Sequence, residues 1–217
     1  MFRLLASILF LILFTSSVYA RDGYGYILGG YSKNIAKDIH DNLGTVYNKD
    51  QKDSANLLGF GYGSYLENIQ KSYRLSLEVE FAWVWGAKIK YLDGSTLAPS
   101  TKSTLFNLMY EKHISDQFYV KLGGGIGSSL TEVETNYNDG TNIFKGTKNN
   151  SMKFSYMYTA GLGMDLGKNN FIDLLYRHQN NGKVLGASGT TDTGAAYSSD
   201  IFDNIVNSFI IQYRFKY

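Results

Sequence analysis

Three histidines, a glycine cluster and a recurrent set of alternating charges are the residues of this chain that invite chemistry. His178, in "YRHQNNG", is the best placed for acyl transfer, because an imidazole can activate a nearby hydroxyl or thiol. The partner is missing. Position 180 is Asn, the nearest downstream hydroxyl, Ser188, lies in a Gly-rich loop, and the chain has no Cys. His113 and His40 share no metal-ligand spacing with His178 or with each other. The cluster "GGGIGSS", Gly123 to Ser129, has the glycines of a phosphate loop without its Lys-Ser/Thr end, and strand-like alternation surrounds it. No catalytic, metal-binding or cofactor-binding residue is expected, and no cofactor.

The charges follow another logic. Arg74, Glu78, Glu80, Glu111, Lys121, Asp165, Asp173, Arg177 and Arg214 stand on the polar side of runs whose alternate positions are apolar. The clearest run, "SYRLSLEVEFAW", sets Tyr73, Leu75, Leu77, Val79, Phe81 and Trp83 against Arg74, Ser76, Glu78, Glu80 and Ala82. Period-two alternation is the pattern of a β-strand, and it recurs about eight times. The first run opposes Tyr24, Tyr26 and Leu28 to Gly25, Ile27 and Gly29. The last, "NSFIIQYRFKY", opposes Phe209, Ile211, Tyr213, Phe215 and Tyr217 to Ile210, Gln212, Arg214 and Lys216. Aromatics at 15% and 23 Gly with one Pro suit strands and membrane interfaces.

The elements that carry these charges must place them inside a narrow enclosure. Short connections near Glu67 to Lys71, Ser115 to Gln117 and Gly167 to Asn170 alternate with long ones. The long ones run over about Ser32 to Asp53, Gly86 to Lys102, Thr131 to Asn150 and Asn180 to Asn204. That rhythm predicts an all-β fold: an eight-stranded antiparallel up-and-down transmembrane β-barrel with short periplasmic turns and long extracellular loops. A soluble ligand-binding barrel would put the apolar face inside. The charged, Gly-rich face is the better lumen, because eight strands enclose a space that side chains just fill. Glycine makes room there for bulky charged neighbours, and opposite charges satisfy one another. The last strand is expected to pair with the first, since a sheet in lipid cannot leave an open edge.

The third run continues through Trp85, Ala87, Ile89 and Tyr91, with Lys88 and Lys90 between, towards a turn at Asp93-Gly94. It is about twice the length needed to cross a bilayer. A hairpin above the membrane is therefore expected, with Trp85, Lys88, Ile89, Lys90 and Tyr91 as candidate binding residues. At the start, Arg3, the apolar stretch Leu4 to Phe14 and Val18-Tyr19-Ala20 describe a secretory signal peptide over residues 1–20, followed by a barrel domain over 21–217. The net charge of +2 gives no sign of nucleic-acid binding.

On the eight runs, on "SYRLSLEVEFAW" and on the terminal "QYRFKY", the chain resembles the small outer-membrane barrels of the OmpX/Ail group, the Opa adhesins and the transmembrane part of OmpA. The resemblance implies a place in the outer membrane of a Gram-negative bacterium, among outer-membrane lipid and lipopolysaccharide. It implies a terminal signal, Tyr213, Phe215 and Tyr217, read by the barrel-assembly machinery. It also implies an adhesin-like role towards host surface or matrix proteins. A structural barrel or narrow channel is the alternative. His178 resembles the histidine of lipid A deacylases of the PagL type, where a nucleophilic Ser follows two positions on. Asn180 in that place argues against such an enzyme.

Overall fold

The computed structural model describes residues 23–40, 50–70, 73–90, 96–138, 143–186, 188–190, 194, 196–197 and 201–217. The predicted signal peptide, Tyr91 and the Asp93-Gly94 turn lie outside them. The described strands are β1 (Gly23–His40), β2 (Gln51–Gln70), β3 (Tyr73–Trp85), β4 (Ile89–Lys90), β5 (Thr96–His113), β6 (Phe118–Asn138), β7 (Ile143–Gly167), β8 (Asn170–Leu185), β9 (Gly189–Thr190), β10 (Ala196–Tyr197) and β11 (Ile201–Lys216). Eight of them close a ring in the order β1-β2-β3-β5-β6-β7-β8-β11. Every neighbour pair is antiparallel, and β11 meets β1 with Tyr24 opposite Lys216 and Leu28 opposite Gln212. The seam carries its own packing. Phe215 lies across Gly25, where a Cβ would overlap its ring, and Tyr217 stacks on Tyr62 with centroids 6.2 Å apart.

Alternation sorts the side chains as the apolar pattern requires on β2, β3, β5, β6, β7, β8 and β11: Phe60, Phe81, Leu108, Ile126, Leu162, Leu174 and Phe209 point outward, exposed. β1 is the exception and corrects the sequence reading. Tyr24, Tyr26 and Leu28 are buried in the lumen, while Ile27 and Tyr31 face out. The tyrosines go inside because each finds a carboxylate there: Tyr24 donates to Glu78 Oε1 at 2.6 Å and Tyr26 to Glu80 Oε2 at 3.5 Å. Each also has room, because its cross-strand partner is a glycine, Gly63 and Gly61 respectively.

Much of what reads as long loop is strand. β6 has 21 residues and β7 has 25, about twice what a bilayer crossing needs. Outside the lipid zone these strands are rich in Ser, Thr, Asn and Lys, so their alternation loses the hydropathic contrast that made the lower halves legible. The wall rises on the order of 20 Å above the membrane once strand tilt is allowed for.

The ring does not stay closed over that height. Pairing of β2 with β3 ends at Asn56 and Trp85, and pairing of β7 with β8 ends at Tyr156 and Asn180. Beyond those points the described residues form two four-stranded sheets, β2-β1-β11-β8 and β4-β5-β6-β7. A glycine in the left-handed region stands at each split: Gly86 with φ 95° after Trp85, and Gly182 with φ 75° after Asn181. Each shifts the side-chain phase by one residue. Trp83 and Trp85 therefore face outward while Ala87 and Ile89 turn inward, so the predicted single apolar face from Trp83 to Tyr91 is broken at Gly86. The two described arms of the expected hairpin, β4 and β5, pair antiparallel, as part of a sheet rather than as a separate finger.

Candidate functional site

The lower lumen is a packed ionic core. Arg214, fully buried, donates from Nη1 to Glu111 Oε1 at 2.6 Å and to the Tyr65 hydroxyl at 2.9 Å. Its Nη2 reaches the Tyr119 hydroxyl at 2.6 Å and its Nε lies 2.8 Å from Asp173 Oδ2. The rings of Tyr24, Tyr119 and Phe171 lie 5.1–5.5 Å from the same guanidinium. Lys121 Nζ sits between Glu78 at 3.0 Å and Asp173 at 3.3 Å and also donates to Gln212. One layer further out, Arg177 grips Glu80 with two bonds of 2.6 Å. Each of the buried carboxylates Glu78, Glu80, Glu111 and Asp173 thus meets at least one of three buried cations, the pairing such groups need when withdrawn from water.

Two of the predicted lumen charges fall outside these pairs. Arg74, half-buried and cross-strand from Glu111, lies over the rings of Tyr65 and Phe171 at 5.6 and 6.0 Å. Asp165 accepts the Gly167 N–H in the turn between β7 and β8. Sequence reasoning missed the aromatic half of the core. The signal was a register rule: Tyr24, Tyr26, Tyr119 and Met109 each stand directly opposite a glycine, and a Cβ on Gly61, Gly63, Gly123 or Gly163 would overlap the facing side chain.

Above the ionic core the filling changes character. Asn204 Nδ2 donates to Thr101 Oγ1 at 3.0 Å and Thr131 Oγ1 at 3.2 Å, tying β11 to β5 and β6. Ser129 and Ser155 donate to the Asn181 and Asn180 carbonyls across the β7/β8 split. At the outer end an apolar cluster closes the lumen. Ala36, Ile39, Val184 and Phe202 come from one sheet, and Ile89, Leu97 and Val133 from the other. Ile89, placed by sequence among the surface-binding residues, is 1% exposed and belongs to this plug. Trp85 lies tilted against Trp83 with centroids 4.6 Å apart, and among the described members of that group Lys88 and Lys90 are the exposed ones.

The two histidines whose side chains are described, His113 and His178, stay apart from one another. His178 Nδ1 lies 2.7 Å from Asn207 Oδ1, and its ring stacks on Tyr158 at 4.7 Å, on the outward face near the upper rim. Asn180 donates to the Tyr156 hydroxyl. His113 packs beside Tyr119 near the periplasmic bends. The His40 side chain is outside the described residues. No cluster of metal-ligating side chains occurs among those described.

Aromatic rings gather at both rims of the outward face. Tyr62 with Tyr217 and Tyr73 with Tyr110 mark the periplasmic side, and Trp83, Trp85, Tyr158 and Tyr176 the outer side. A closed antiparallel barrel with an apolar outer wall between two such girdles is an integral outer-membrane protein. Residues 6–205 match the outer membrane protein beta-barrel domain family, and the chain belongs to it; its place is the outer membrane of a Gram-negative bacterium. An uncharacterised protein of Rickettsia conorii is 28% identical over 139 residues, an alignment spanning 58% of this chain and 58% of that relative. Among solved structures, the fold is shared with Neisserial surface protein A (12% identity, 89% of this chain and 97% of that one, TM-score 0.51). It is also shared with the outer membrane protease OmpT of Escherichia coli (11%, 91% and 97%, TM-score 0.53) and with OprG of Pseudomonas aeruginosa (14%, 89% and 96%, TM-score 0.50).

Proposed function

We propose that this is a non-enzymatic, adhesin-like surface protein whose two-sheet head binds partner molecules on host cells or matrix. The observation that carries the reading is the head itself: wall strands of up to 25 residues rising above the membrane around an apolar plug. A rigid platform of that height lifts a binding face clear of the lipid surface. The ammonium groups of four exposed lysines, Lys33, Lys52, Lys88 and Lys90, make no ion pair among the described residues, although the Lys88 backbone N–H donates to Asp53 Oδ2, and these free charges favour an anionic partner. Reversing Lys52, Lys88 and Lys90 to Glu should lower bacterial adherence to cultured host cells and matrix-coated wells at unchanged barrel levels. Adherence equal to wild type would refute the basic-face version.

The channel alternative is disfavoured by the filled lumen, from the Arg214 layer to the Phe202 plug. Refolded protein in planar bilayers should give no steady single-channel steps; such steps would reinstate it. A lipid A-modifying role through His178 is disfavoured by the Asn207 and Tyr158 contacts, neither of which supplies a nucleophilic Ser. An altered lipid A profile on His178→Ala would reopen that question. The leader over residues 1–20 and recognition of Tyr213, Phe215 and Tyr217 by the assembly machinery complete the proposal.

A further inference from the structure

The outward wall of β3, β5 and β6 is not evenly covered. A groove of about 490 Å³ runs down it, with Phe81 and Trp83 on one bank, Leu130 and Met152 on the other, and Thr104 paired with Ser128 on the floor. Two features set it apart from ordinary lipid-facing wall. The floor hydroxyls of Thr104 and Ser128 have no hydrogen-bond partner among the described residues, although they face the zone where water is scarce. At the outer mouth stands Lys102, exposed, with no carboxylate partner among those residues and with its ammonium 5.9 Å from the Trp83 ring. The Trp83 indole is itself fixed by its bond to Ser100 Oγ at 2.9 Å, which holds that bank at interface height.

The vertical order of these groups matches one kind of molecule. A cation lies at headgroup level with Trp83, Leu130 and Met152 beside it across the strands, and two hydroxyls lie about 7 Å deeper along the strands, next to Phe81. We propose that this groove seats one phosphorylated, multiply acylated lipid of the outer leaflet, of the lipid A kind. Its phosphate meets Lys102, its ester or amide carbonyls accept from Thr104 and Ser128, and one acyl chain lies between Phe81 and Leu130. Charge complementarity at Lys102 and the unpartnered floor hydroxyls carry the assignment, which is independent of any adhesive role of the head.

The test uses refolded full-length barrel in detergent, bis-phosphorylated lipid A as probe, and native mass spectrometry to count retained lipid. Wild type should hold one copy. Lys102→Ala should weaken retention about fivefold, the worth of one basic residue near an anionic lipid surface. Dephosphorylated lipid A should bind wild type as weakly as the intact lipid binds Lys102→Ala, with no further loss when both changes are combined. Thr104→Leu with Ser128→Leu, which fills the floor with side chains the bilayer tolerates, should cut retention of both lipids. Lys183→Ala, on β8, should change nothing. Intact retention by Lys102→Ala, indifference to the phosphates, or full retention by the filled-floor variant would each overturn the proposal. Heat-modifiable gel migration confirms that every variant compared is a folded barrel.

Discussion

The same strands build two unlike halves. In the lipid zone the wall is closed and its interior is ionic, with Arg214, Lys121 and Arg177 meeting Glu111, Glu78, Asp173 and Glu80. Above it the wall splits into two sheets and its interior loses its charges, passing through buried Asn204, Thr101 and Thr131 to an apolar outer end where Phe202, Leu97 and Ile89 pack across the gap. The solvent outside explains both differences. In hydrocarbon no backbone group can go unpaired, so the ring must close, and apolar side chains are useful on its outer face. Water satisfies a free strand edge, so closure is optional in the head, and burial of apolar surface becomes the stabilising force again. The head is in effect a small two-sheet sandwich, the arrangement of soluble all-β domains, standing on a membrane barrel.

The largest expected effect comes from opening the lower ring. Deleting Phe215 to Tyr217 removes the ring that covers Gly25, the Tyr62 stack and the last rungs of the β1/β11 ladder. Immunoblots of outer-membrane fractions should show that barrel levels collapse. Levels equal to wild type would mean that the seam is not the step at which assembly is decided.

The ionic core should come next. Arg177→Met strands the buried Glu80 carboxylate and should cost about 3–5 kcal/mol in reversible denaturant unfolding, whereas adding Glu80→Leu should restore most of it. If the double variant is as unstable as the single one, the pair is not an isolated unit, and Tyr26 or water shares the load.

These two regions also differ in how well they could be read from sequence. Strand number, closure and the lumen position of Glu78, Lys121 and Arg214 were legible because lipid imposes a strong apolar contrast on the outer face. On β1 the contrast misled: Tyr24 and Tyr26 count as apolar but are amphipathic, and their hydroxyls draw them to Glu78 and Glu80. In the head, contrast weakens on both faces and the phase slips at Gly86, at Gly182 and near Asp38 (φ 51°). A single residue's slip sends every later side chain to the opposite face. That is why Ile89 reads as surface and packs as plug. The strand-embedded glycines in "VWGAKI" and "QNNGKV" were the available warning.

Breaking the plug should separate the halves. Leu97→Ala should cost the head about 3 kcal/mol in local stability, from lost burial and the cavity left behind. Limited proteolysis and amide exchange should then cut or label Ser32–His40 and Thr131–Asn136 faster, while the lipid zone stays protected. Uniform loosening of the whole barrel would show that head and stave unfold as one body. A milder version acts at the split itself: Gly182→Ala forces a side chain into φ 75° and sets its Cβ 3.2 Å from the Lys153 Cβ. It should cost about 1–2 kcal/mol, again confined to the head.

The smallest effect concerns charge in the two environments. Lys148 and Glu132 pair at 2.8 Å on the exposed outer face of the head, and the Glu132 hydrogen bond together with its charge raises the Lys148 pKa above the ordinary lysine value. A raised lysine pKa means that the folded state holds the proton more tightly. The contribution is therefore complete below the ordinary lysine range and fades as pH climbs through the raised value. Because the pair is solvated, it should also weaken as salt rises from 0.01 to 1 M, where the screening length falls from about 30 to about 3 Å. Nitrogen-detected NMR should follow the Lys148 ammonium titrating above ordinary lysines at low salt, and Glu132→Gln or high salt should return it towards them. The buried Arg177–Glu80 pair should keep its geometry throughout that range, because mobile ions cannot enter the filled lumen. If salt loosened both pairs alike, the lumen would be open to solvent, and the contrast between a sealed stave and an exposed head would fail at its base.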